Sequence, residues 1–137
     1  MSDAWKDYSL LSDLLELYKK EEKEAKEYIA SLCEKKKYTV ILFGSRARGD
    51  NKIYSDWDLL VIGYEKPPLP WAEVDLHFIP VDKVKEAIKE FNTIVIDAFY
   101  EGKLICDDLS IYDELKKEVE KRIVGYKKTK EGWFREG

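Results

Sequence analysis

Residues 44–61 read "GSRARGDNKIYSDWDLLV", and this stretch decides the fold because it sets two carboxylates at the head of an apolar run. A strand alternates its side chains between two faces, so Asp56 and Asp58 point one way while Trp57, Leu59 and Val61 point the other. Upstream, "YTVILF" (38–43) is β-branched and aromatic, too short for a helix, and closed by Gly44; it reads as a buried strand. "DWDLLVIG" (56–63) reads as a second strand. Downstream, "GYEKPPLPW" (63–71) holds three prolines and reads as a stiff loop. "EVDLHFIP" (73–80) then reads as a third strand, with Asp75, His77 and Ile79 on one face and Val74, Leu76 and Phe78 on the other.

If the second and third strands are neighbours, Asp75 sits across from the aspartate pair, since opposed side chains lie about 5 Å apart. Three unpaired carboxylates at that spacing repel one another and are driven to bind protons. No lysine or arginine falls on the matching positions of these strands, which leaves metal ions as the neutralising charge. Oxygen ligands favour Mg²⁺ or Mn²⁺. A carboxylate trio can hold two such ions roughly 4 Å apart, the arrangement that clamps the attacking and leaving oxygens of phosphoryl and nucleotidyl transfer. His77 shares the face of Asp75, either as a polar strand-end residue or as a contact to nucleotide or acceptor.

The glycine end of the stretch has complementary chemistry. A strand that ends in Gly44-Ser45 and turns into a short helix exposes backbone N–H groups that bind phosphate. Arg46 and Arg48 either add charge there or serve elsewhere, as solvated side chains or partners of Asp50. The lysine and glycine spacing of a Walker loop are absent.

The rest of the chain supplies helices. Leu10, Leu11, Leu14, Leu15, Leu17 and Tyr18 recur at helical spacing, continued by Ala25, Tyr28, Ile29 and Leu32. This stripe packs on the chain's own sheet or docks a partner; own-sheet packing is the expectation. "KKEEKEAKE" (19–27) reads as a solvated helix face. "VDKVKEAIKEF" (81–91) predicts a helix with Asp82 as N-cap, and 93–101 a helix with Gly102 as its C-cap. "KLIC" (103–106) predicts an edge strand, 109–123 a helix capped near Ser110, and the basic-then-aromatic tail 125–137 a hairpin.

At 137 residues the expectation is one domain: an N-terminal helical segment (1–36), a core (38–106), and a C-terminal helix with its tail (107–137). Apolar residues make up 45% of the chain, which argues against disorder. The net charge of −4 makes a broad grip on nucleic acid unexpected. Cys33 and Cys106 fit neither a disulfide framework nor a zinc site and are expected to be buried thiols in a reducing cell. No uncharged stretch is long enough to span a bilayer, and Asp3, Lys6 and Asp7 stand where a signal peptide needs apolar residues. A cytoplasmic protein is the expectation.

Gly44-Ser45, ten intervening residues and Asp56-Trp57-Asp58 resemble the GS-x10-DxD signature of the DNA polymerase β-like nucleotidyltransferase superfamily. The longer string "LFGSRARGD…SDWDLLV" is similar to its minimal nucleotidyltransferase branch. The resemblance covers residues 38–80 well and continues more loosely to about 123. It implies an α+β, two-layer fold, with a small mixed sheet and helices packed on one face. It implies that Gly44 and Ser45 hold a nucleoside triphosphate, that Asp56 and Asp58 ligate two Mg²⁺ (or Mn²⁺), and that Asp75 helps ligate one ion and activates an acceptor hydroxyl. Trp57 departs from the small aliphatic usual between the aspartates and is expected to point into the core. Members of this branch are often encoded with a helical HEPN partner, and some act as antitoxins that attach AMP from ATP to a tyrosine of that partner. Two other readings stay open: a non-catalytic module that docks a partner through its leucine-rich helix, and a nucleic-acid end-modifying enzyme. The last rests on Lys121, Arg122, Lys127, Lys128 and Lys130 followed by Trp133 and Phe134.

Overall fold

The computed structural model describes residues 8–136. The reading of Asp3, Lys6 and Asp7 lies outside them. Along the chain come α1 (Tyr8–Glu34), β1 (Tyr38–Phe43), α2 (Ser45–Arg48), β2 (Trp57–Gly63) and β3 (Val74–Pro80). A 3-10 turn (Val81–Lys83), α3 (Val84–Lys89), α4 (Thr93–Glu101), β4 (Lys103–Asp107) and α5 (Tyr112–Arg122) follow, and β5 (Tyr126–Thr129) and β6 (Gly132–Arg135) pair as the expected hairpin.

Four strands form one mixed sheet in the order β3-β2-β1-β4. β1 runs antiparallel to both β2 and β4, whereas β2 and β3 are parallel. The mixed α/β architecture is the one expected, with one correction: helices cover both faces of the sheet instead of one. Every residue of β1 is buried, so its alternating side chains need hydrocarbon on either side. On one face Ile41, Phe43, Leu60 and Ile62 pack with Val84, Ile88, Val95, Phe99, Leu115 and Val119 of α3, α4 and α5. On the other, Val40, Leu42, Leu59 and Val61 pack with Tyr28, Ile29 and Leu32 of α1.

The second correction concerns α1. Ala25, Tyr28, Ile29 and Leu32 are buried as expected, but Leu10, Leu11, Leu14, Leu15 and Leu17 are 42–53% exposed. A helix of 27 residues is longer than the strands it crosses, so its first turns run past the sheet. The parallel crossover from β2 to β3 passes over this same face. Tyr28 donates its hydroxyl to the Pro68 carbonyl at 2.6 Å and meets Trp71 edge-on at 5.0 Å. Burial, with Tyr38 nearby, pushes the Tyr28 pKa up to about 12.

Cys33 and Cys106 are joined in a disulfide and are not free thiols. The end of α1 lies over the edge strand β4, which brings their Cα atoms to 6.0 Å although 73 residues separate them in sequence.

Two caps also differ. Asp82 lies in the 3-10 turn, and α3 begins after Lys83 without a side-chain cap. At α5 the cap is Asp107 and not Ser110: the Asp107 carboxylate accepts from the N–H groups of Ile111 and Tyr112, each at 3.1 Å, and from Thr39 Oγ1 at 2.7 Å. α4 keeps its expected bounds, with the Asn92 side chain accepting from Ile94 and Val95. Gly102 ends it where a Cβ would strike the Ala98 carbonyl, so only glycine lets the chain turn into β4.

Candidate active site

The carboxylates lie on the face covered by α3–α5, at the end of the sheet those helices leave open. Parallel pairing sets Asp58 beside Asp75 and Leu60 beside His77, while antiparallel pairing sets Phe43 beside Asp58. One oxygen of Asp58, one of Asp75 and one nitrogen of His77 lie within 4.8 Å of one another. His77 Nε2 is 3.3 Å from Asp75 Oδ2, and its ring tilts against Phe43 at a centroid separation of 5.8 Å. Asp56 precedes the first residue of β2 and stays outside this group. With Tyr18, Glu21, Arg46, Tyr54 and Glu73 it lines a cavity of about 190 Å³ between α1 and the loop before β2.

Like charge and burial have the expected consequence. The Asp58 carboxyl titrates above its ordinary range. Burial is the largest cause, followed by the charges of Asp75 and then Asp56, with His77 opposing them. Two carboxylates and an imidazole converge, and no lysine or arginine of the described residues forms an ion pair with any of the three. Such a donor set suits a divalent cation, and the imidazole widens the choice toward Mn²⁺.

Gly44 makes the arrangement possible. It takes φ 76°, a left-handed conformation, and a Cβ at that position would collide with the Asp58 carboxylate. The glycine therefore serves both the turn and the aspartate that lies against it. Its carbonyl accepts from Ala47 and Arg48, so Ser45 and Arg46 stand at the start of the turn, where backbone N–H groups have no acceptor within the helix.

The two arginines go to protein partners. Arg46 donates from Nε to the Ser55 carbonyl at 3.0 Å and from its terminal nitrogen to the Ile53 carbonyl at 3.3 Å. Its guanidinium lies 4.3 Å from the centre of the Trp57 ring. It clips the loop that delivers Asp56 and Asp58. Trp57 itself is half-buried, packing on the α1 side of the sheet beneath Arg46 and not wholly within the core. Arg48 pairs with Asp50 at 3.1 Å and with Glu101 at 2.8 Å. In the tail, Lys128 and the Trp133 ring N–H both donate to Asp97, at 2.8 and 2.7 Å. That draws both away from a nucleic-acid patch.

A nucleotidyltransferase domain family model matches residues 23–129 of the chain. The chain belongs to that family. Comparisons with curated proteins and with solved structures returned no significant match. The family's reaction is transfer of a nucleoside monophosphate, so a nucleotide is a substrate. Among the described residues no helix is long and apolar enough to cross a membrane.

His77 is the site residue to which sequence reasoning gave no firm role. Its signal was its place two residues beyond Asp75, on the same face of the same strand.

Proposed function

We propose that the chain is a minimal nucleotidyltransferase that moves AMP from ATP onto a hydroxyl of a partner protein, in the manner of antitoxins that modify a HEPN-type partner. The observation that carries this reading is the group Asp58, Asp75 and His77, with Asp58 packed against Gly44. Gly44 and Ser45 hold the triphosphate through the turn, and Arg46 and Arg48 steady the loop ends around it. Asp58 and Asp75, with His77 beside them, would hold Mg²⁺ or Mn²⁺, and Asp56, outside that group but near enough for its charge to act on Asp58, would serve a second ion. When bound, the metal screens the triphosphate and polarises the reacting oxygens.

The chemistry left to the side chains is proton and position control. Asp75, half-exposed at the edge of the sheet, accepts the proton of the acceptor hydroxyl. That oxygen bonds to the α-phosphorus as the bond to pyrophosphate breaks. The exposed Leu10–Leu17 face of α1 supports a protein partner, because an apolar stripe of this kind is covered by association. The same face supports the competing reading of a non-catalytic docking module.

The deciding experiment is to purify the protein from its native cells with whatever stays bound and incubate it with labelled ATP, CTP, GTP or UTP. Label from ATP on a protein band, lost with Asp58→Ala, is the expected result. No label with any nucleotide, together with Asp56→Ala and Asp58→Ala variants that behave as wild type in cells, overturns the enzyme in favour of the module.

A further inference from the structure

The sheet has two outer edges, and they are finished differently. β4 opens on Lys103, breaks register against β1 between Val40 and Ile41, and is tied to α1 through Cys106. A lysine, a bulge and a covalent cover are devices that stop a strand from recruiting another. β3 has none of them. Its ladder to β2 runs from Trp57–Val74 to Gly63–Pro80 without a register shift, and its one proline is the last residue. No lysine or arginine occurs between Pro67 and Asp82. Among the described residues, nothing pairs with its outer side. Alternate residues of such a strand turn both N–H and C=O away from their neighbour.

Two further features lie along this edge. Toward the C-terminal end of β3, residues 76–79 together with Leu60, Asn92, Ile94 and Val95 line an open cavity of about 340 Å³. Toward its N-terminal end stand Asp75 and Asp58. Through Leu60, His77 and Ile79 the cavity opens on the face that carries the carboxylates, two residues along the strand from Asp75, and Leu76 and Phe78 of the other face also line it. The β2–β3 crossover packs against Tyr28 on the opposite face.

We infer that β3 is a docking edge: an extended segment of the acceptor protein adds to it as a further strand. That places a Ser, Thr or Tyr hydroxyl beside Asp75 and an apolar side chain two residues away in the cavity. Backbone pairing supplies the grip and the alternate side chains supply the choice of site. Glu73 and Asp75 make the edge acidic, so the segment is neutral or basic at its ends. This inference rests on the nucleotidyltransferase reading and names how its acceptor is held.

The test separates the two. The full chain is incubated with Mg-ATP, with and without a nine-residue peptide: tyrosine at its centre, valine two places to either side, glutamine between, lysine at each end. Pyrophosphate released without peptide reports transfer to water, which needs only the nucleotidyl chemistry. The expected result is at least a tenfold rise in pyrophosphate with peptide, a mass gain of one AMP on its tyrosine, and slowed amide exchange across Val74–Pro80. N-methylation at every second backbone nitrogen, in one of the two possible phases, abolishes the rise; the other phase preserves it. Release into water with no AMP on the peptide and no protection of β3 overturns the docking edge alone. So does equal tolerance of both methylation phases, or a gain of AMP on an oligoribonucleotide added in place of the peptide. No pyrophosphate under any condition overturns both.

Discussion

Two groups of carboxylates in this molecule meet opposite fates. Asp107 accepts three hydrogen bonds, from Thr39, Ile111 and Tyr112, and Asp97 accepts from Lys128 and Trp133. Each is matched by donors of the fold itself and holds elements together. Asp58 and Asp75 face one another with His77 as the basic neighbour, and burial first, then the charge of Asp75, push Asp58 toward its protonated form. Carboxylates that a fold satisfies internally stabilise it, whereas carboxylates it crowds together await an outside cation. The difference separates structural aspartates from candidate catalytic ones within a single chain.

The contrast can be broken by substitution. Asp58→Asn should lower nucleotidyl transfer by about a thousandfold or more, the scale of losing several kcal/mol of transition-state charge stabilisation. Melting curves should show the variant as stable as the wild type or more so. A comparable energy on the structural side lies in the Cys33–Cys106 link, which closes a long loop. Its reduction should cost up to about 4 kcal/mol in chemical denaturation, while transfer by the molecules still folded is unchanged. Asp107→Ala should come next, at about 2 kcal/mol of stability, because it strips the cap of α5 and leaves the buried Thr39 hydroxyl without its acceptor. Specific activity per folded molecule should hold.

The smallest effect sharpens the comparison through pH. The folded-state pKa of Asp58 is raised above its ordinary value near 3.8. Between that value and the raised one, the native protein binds more protons than the unfolded chain. Metal-free stability should therefore fall as pH climbs through this window and stay reduced above it. Denaturation series on wild type and Asp58→Asn should diverge across the window, with the fall missing in the variant.

Much of this was readable from local pattern. The period of two put Asp58 and Leu59 on opposite faces, and Asp75 and Leu76 likewise. The two strands had to be neighbours for the aspartates to meet; their parallel register sets Asp58 beside Asp75, while Asp56, expected on the same face, stays outside their group. Gly44 was legible as a turn; that it also vacates the space Asp58 occupies needed a three-dimensional neighbour. What stayed hidden was decided by contacts remote in sequence. The cap of α5 comes from Asp107, at the end of β4, instead of from Ser110. Cys33 and Cys106 meet only because α1 ends over β4. Arg46 and Arg48 look like phosphate ligands in one dimension, yet loop carbonyls and two acidic side chains hold them. Leu10–Leu17 obey the helical period of a core stripe, but period carries no information about where the sheet ends.

The most direct measurement is thermal melting of metal-free wild type and Asp58→Asn at neutral pH, with and without manganese chloride. Crowded carboxylates that need an outside cation predict a higher melting temperature for wild type with Mn²⁺, a higher one for the variant without it, and no response of the variant to the ion. A wild type indifferent to Mn²⁺, or a variant that responds equally, would contradict it.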